Sequence, residues 1–200
     1  MNVTTRTKAV TSLVAVAALL VAGCGDRSSG PSPSKVTITE IKGARGADSP
    51  TFASGPLISD VVTKGTVYDD LAEVTMDLQL KDPGVLGTES KPTPINSVTF
   101  TRYHVEFVRA DGRNTQGVDV PYAFDGAQTF TVGEDGSKAV IEVVRHEAKF
   151  EAPLGALVND SAIVITAIAN ITFYGRDQAG NNVTVKASLQ VNFSNFGDPT

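Results

Sequence analysis

Two histidines, a set of aspartates and one cysteine are the side chains here with most capacity for chemistry. His104 stands in Arg102-Tyr103-His104-Val105-Glu106, and His146 in Arg145-His146-Glu147. An imidazole titrates near neutrality, so each is a candidate general base or metal ligand. Neither belongs to a zinc-protease pattern, and no second histidine or cysteine stands at ligand spacing. The plainer expectation is a surface or strand-edge residue. A serine-hydrolase route lacks its usual Gly-x-Ser-x-Gly elbow. Gly43-Ala44-Arg45-Gly46 is glycine-rich but has no following Lys-Ser/Thr pair, so it reads as a solvated loop and not a phosphate cradle.

Asp60, Asp69, Asp70, Asp82, Asp111, Asp119, Asp125 and Asp177 lie at or near expected turns. Calcium takes six to eight oxygen ligands and often draws them from loop carboxylates. No Asp-x-Asp-x-Asp spacing is present. These aspartates are therefore read as turn formers, through side-chain bonds to their own backbone. No catalytic residue, metal ligand or cofactor is assigned; calcium in a loop-assembled site is the alternative. Phe100, Tyr103, Phe107, Tyr122, Phe124 and Phe130 crowd the middle third. Strict alternation puts Phe100 on the face opposite Tyr103 and Phe107. Core packing accounts for most of these rings, and an exposed one would mark a recognition patch.

The elements that must position these side chains are strands. Ala72, Val74, Met76, Leu78 and Leu80 alternate with Glu73, Thr75, Asp77, Gln79 and Lys81. That period of two sends one apolar row inward and one polar row outward. Ile163 to Phe173 and Val183 to Phe193 repeat it, joined by the turn-forming Tyr174 to Asn182. Two arms of about 11 residues form a long hairpin, and arms of that length are expected to bend or carry a bulge. Further strands are expected at Val36–Ile41, Leu57–Thr63, Thr66–Tyr68, Ser97–Arg109, Val118–Tyr122, Ala127–Val132 and Lys138–Arg145. Turn signals every ten or so residues, without a sustained amphipathic helix, predict an all-β fold. The expectation is a single immunoglobulin-like antiparallel β-sandwich of seven to nine strands over residues 36–200. There is no tryptophan and no cysteine pair, so the antibody-domain core signature is missing. Asp177-Gln178-Ala179-Gly180-Asn181 resembles the Asp-x-Ala-Gly-Asn turns of bacterial immunoglobulin-like modules. Residues 57–132 are similar to an uncharacterised group of bacterial exported proteins, a resemblance that implies no activity.

The first residues form an export signal. Arg6 and Lys8 precede an almost wholly apolar run, Ala9 to Ala22, followed by small residues at Ala22 and Gly23. The run is shorter than the roughly 20 residues that span a bilayer. Leu20-Val21-Ala22-Gly23-Cys24 resembles the lipobox of bacterial lipoproteins. The resemblance implies a signal peptide over 1–23, cut before Cys24, and a diacylglyceryl group on the Cys24 thiol. Cys24 is the sole cysteine, so an intramolecular disulfide is impossible and a modification is the natural fate of an exported thiol. Residues 24–35 contain Gly-Asp-Arg-Ser-Ser-Gly-Pro-Ser-Pro-Ser and read as a flexible to semi-rigid spacer. Gly25 follows the cysteine where some inner-membrane lipoproteins carry aspartate, which points to an outer membrane where one exists.

Loss of the signal leaves 15 basic against 22 acidic residues, a net charge of −7. That balance argues against broad nucleic-acid binding and gives no pull toward anionic lipid. Attachment would rest on the acyl chains. The expected function is a lipid-anchored, non-catalytic binding or structural module of the cell envelope. Its expected partners are the membrane and an envelope protein or polysaccharide. The alternative is an envelope hydrolase or a metal-dependent, calcium-binding protein with a loop-assembled site; a concave cluster of His104 or His146 with two carboxylates would favour the enzyme.

Overall fold

A computed structural model describes residues 31–45 and 51–197. Eight strands make two sheets: β1 (Ser34–Ala44), β2 (Leu57–Asp60), β3 (Asp70–Leu80), β4 (Val98–Val108), β5 (Phe124–Val132), β6 (Ser137–Val144), β7 (Ile165–Asp177) and β8 (Asn182–Ser194). One sheet has the order β1-β3-β6 and the other β2-β8-β7-β4-β5. Both apolar faces contribute to one core, in which Val74 and Met76 of β3 join Phe100, Ile171, Phe173 and Phe193 at full burial. This is an immunoglobulin-like β-sandwich: β3 and β6 pair in one sheet, while β4, β7 and β8 form the heart of the other. One pairing departs from the antiparallel expectation. The short strand β2 runs parallel to β8, from Leu57 opposite Val191 to Asp60 opposite Ser194.

The long hairpin is present, and each arm reaches 13 residues. Ile165 and Leu189 are buried while Thr166 and Gln190 face solvent, as the alternation requires. Its arms stay in register from Ile165–Phe193 to Arg176–Asn182, so of the expected bend or bulge no bulge is present. The bulge falls instead on β4, between Phe100 and Arg102, against both β5 and β7. It overturns the expected facing of the aromatic residues. One extra residue reverses strand parity, so Phe100, Tyr103 and Phe107 all point into the core. Gly175 of β7 lies opposite Phe100, and a Cβ there would sit 2.5 Å from the Thr99 carbonyl oxygen. A glycine within the strand is what lets the bulged chain approach.

Two expected strands do not form. The backbone amides of Val118, Asp119 and Val120 all bond to the Thr115 carbonyl, making a turn, and Val118 is exposed. Thr66 closes a tight turn with Thr63 through Lys64 and Gly65, both at positive φ, and Thr66–Tyr68 stays outside the sheets. The β6–β7 connection also differs from expectation. It carries a five-residue helix, α1 (His146–Phe150), and a 3-10 turn over Leu154–Asn159, and Ile163 is exposed. No helix among the described residues is long and apolar enough to cross a membrane.

The register also fixes which loops share an end. Ser34 pairs with Leu80, and the Lys81 amide bonds to the Pro33 carbonyl, so the chain enters beside the end of β3. Order reaches back into the expected spacer, where Ser32 is buried and its Oγ accepts the Ser34 amide. The β7–β8 turn and the 81–97 loop lie at this entry end: Val98 pairs with Asp177, and Ser34 Oγ bonds to the Asn96 carbonyl. The β2–β3 connection, the 109–123 loop and the β6–β7 connection converge at the opposite end.

Candidate functional site

At the end remote from chain entry, the start of β3 meets α1 twice. On the surface, Asp69 Oδ1 accepts the His146 backbone amide at 2.6 Å and lies 2.8 Å from His146 Nδ1. The other imidazole nitrogen, Nε2, is 3.3 Å from Glu147 Oε1. Directly beneath, Lys149 Nζ meets Asp70 Oδ2 at 2.8 Å with both side chains sealed from water. Lys149 also donates to the Asp60 carbonyl, and Ser59 Oγ donates to Asp70 Oδ2 at 2.6 Å. The spacing explains the pairing. Asp69 and Asp70 point to opposite sides of the chain at a strand start. His146 and Lys149, three apart, share one side of a helical turn.

Glu142 on β6 completes the surface group. Partial burial pushes its carboxyl up to about 7, helped by a hydrogen bond to Asp69 and repulsion from Asp69 and Glu147. Burial pulls Asp69 upward as well, but bonds from the His146 amide and imidazole outweigh it, and its carboxyl titrates below the usual range. The bond to Asp69 holds the imidazolium, raising His146 above its ordinary value. Asp69, His146 and Glu147 each offer a donor atom within 4.8 Å of the others, a donor set that fits a borderline metal ion such as zinc. Both ring nitrogens already face carboxylates, so a cation would have to displace the imidazolium proton. The hydroxyl beneath, Ser59, is fully buried and spends its proton on Asp70, so it has no access to a substrate.

Sequence therefore named His146 and the aspartates but not their meeting, since 77 residues separate Asp69 from His146. Glu142 and Lys149 carried no sequence signal of a site. His104 lies elsewhere, on the outer face of β4, with Nδ1 3.2 Å from Asp125 Oδ1. It sits on an interior strand of its sheet and not at a strand edge. Several aspartates do form turns: Asp82 accepts the Gly84 amide, and Asp119 the Thr115 amide. Asp111 accepts the Arg113 amide and also binds the Arg109 and Arg113 guanidinium groups. Asp177 holds the β7–β8 turn by accepting the Ala179 and Asn181 amides and Asn181 Nδ2, with Gly180 at φ +86°. Those bonds, led by Asn181, also keep its carboxyl below the usual range. Asp60 and Asp70 are buried, which the turn-former reading did not foresee. Cys24 lies outside the described residues.

The outer face of the five-stranded sheet is polar. A shallow groove there is lined by Thr99, Thr101, Arg102, Tyr174, Arg176 and Thr184, with no carboxylate among its walls. The Arg102 guanidinium lies over the Tyr174 ring at 4.1 Å. Tyr122, of the aromatic set, is exposed at the remote end.

Fold and surfaces together define an immunoglobulin-like sandwich with a polar sheet face and an acidic, histidine-bearing end. Comparison with protein-family models, curated proteins and solved structures finds no match.

Proposed function

We propose that this chain is a lipid-anchored, non-catalytic binding or structural module of the bacterial cell envelope. The observation of the fold that supports it is an arrangement of ends. The chain enters the sandwich at Pro33 and Ser34, and the loops of the opposite end converge as far from that point as the strands allow. A lipid on Cys24 would hang from the entry end through ten residues, a reach of about 36 Å at full extension. The far end and the polar sheet face would then be offered outward, to an envelope protein or a polysaccharide. The export signal and the lipobox-like Leu20–Cys24 segment support the anchor. Fractionation of producing cells tests it. Wild-type protein should sediment with membranes and resist high salt, and Cys24→Ala should move to the soluble exported fraction. Retention of the variant on membranes would sink this reading.

The Asp69–His146–Glu147 group gives a specific reason to keep a metal-dependent alternative. A metal bound only by the native state raises the melting temperature with its concentration. Under this alternative, zinc raises the melting temperature of the wild type but not of His146→Gln. Coincident curves with zinc and with chelator would dismiss it.

A further inference from the structure

The largest exposed apolar side chains at the entry end are on the loop between β3 and β4. Leu86 is 95 % exposed, Ile95 76 % and Val85 75 %. Isolated exposed apolar residues are ordinary, but here three of the most exposed in the described chain share one loop. The loop is also built to present them. Ser90 donates to the Pro83 carbonyl at 2.7 Å and closes the neck, while Thr88 donates to the Val85 carbonyl across the tip. Gly84 and Gly87 flank the Val85-Leu86 pair at positive φ. Their amides are held by Asp82 Oδ1 and Glu89 Oε1. The pair is thus carried outward on a hydrogen-bonded finger.

The position of the finger supplies its occupant. Its first residue, Lys81, bonds to Pro33, the residue just before β1, and its last turn, at Asn96, receives the Ser34 hydroxyl. The loop therefore flanks the place where the chain from Cys24 arrives, and it lies within the roughly 36 Å reach of that ten-residue tether. We propose that Val85, Leu86 and Ile95 insert into the lipid interface beside the anchor, giving the domain a second contact that fixes its orientation. This rests on the lipid-anchor reading above. Insertion is apolar and not electrostatic. Lys35, Lys81 and Lys91 lie near this end, but so do Asp82, Glu89 and the Glu134-Asp135 turn. The acyl chains hold the protein and the finger orients it.

The chain has no tryptophan, so a single introduced one reports cleanly. The acylated mature protein carrying Leu86→Trp is reconstituted into phosphatidylethanolamine–phosphatidylglycerol vesicles with or without nitroxide-labelled lipid. Phe150→Trp, also at an exposed position but at the remote end, is the reference. The expected result is a blue-shifted emission for Leu86→Trp, quenched by the nitroxide lipid in low and high salt, with Phe150→Trp unaffected. Equal quenching of the two, or none of Leu86→Trp, overturns the proposal. Intact-mass analysis of the same preparation separates the two readings. An acyl group on Cys24 with an unquenched Leu86→Trp removes the finger alone, whereas an unmodified Cys24 removes the anchor and the finger with it.

Discussion

Lys149 carries a charge with no water contact, and it is kept by one carboxylate and one carbonyl. A buried pair of this kind is a weak source of net stability, because desolvation offsets most of the attraction. Breaking it is another matter. Lys149→Met removes the ion-pair partner of buried Asp70, leaves the Ser59 hydroxyl bond in place, and should cost roughly 3–5 kcal/mol. Adding Asp70→Asn should recover part of that loss; denaturant unfolding of the single and double variants measures both. A silent Lys149→Met would mean that water reaches Asp70. The surface group above it makes a different prediction, about pH. The Glu142 carboxyl is raised to about 7 in the native state against an ordinary value near 4.5. Between those two values the unfolded chain has lost its proton and the native chain has not, so stability falls as pH rises. His146, raised by Asp69, adds the same sign: its contribution is complete below about 6.5 and is lost as pH climbs through its native value. Glu142→Gln keeps a donor toward Asp69 without the charge. It should raise the melting temperature at pH 8 and have little effect below pH 4.5. Thermal melts across that range would count against the group's described geometry if wild type and variant stayed parallel.

The β7–β8 hairpin is the element on which the core most depends, since β7 lies between β8 and β4 and buries Ile165, Ala167, Ala169, Ile171 and Phe173. Ile165→Ala should cost about 2–5 kcal/mol, the range for a large-to-small change in a packed core. Gln190→Ala, on the solvent face, should be nearly silent. Chemical denaturation ranks them, and a reversed order would invert the assigned faces. This hairpin was legible because an unbroken period of two runs through both arms. The β4 strand was legible as a strand but not in its facing, because the extra residue between Phe100 and Arg102 changes parity without changing composition. Helix α1 was missed for another reason. Five residues make little more than one turn, too few for a 3.6 period to show. Val118–Tyr122 looked like a strand through β-favouring residue types, but Asp119 and three amides gathered on the Thr115 carbonyl turn the chain there. The acidic group at the far end was half legible: its residue types stood out, but bringing together β3, β6 and α1 is tertiary information.

At the scale of the molecule, the two ends of the sandwich differ in kind. One receives the chain and carries the Val85-Leu86 finger; the other gathers Asp69, Glu142, His146 and Glu147 above a buried ion pair. Under the proposed lipid anchor, the first would be the near end and the second the far one. The account therefore turns on whether Cys24 carries that lipid. Metabolic labelling with a radioactive fatty acid, in cells producing the wild type or Cys24→Ala, asks this directly. The account predicts label on the wild-type band and none on the variant. Equal label on both bands, or an unlabelled wild type, would contradict it.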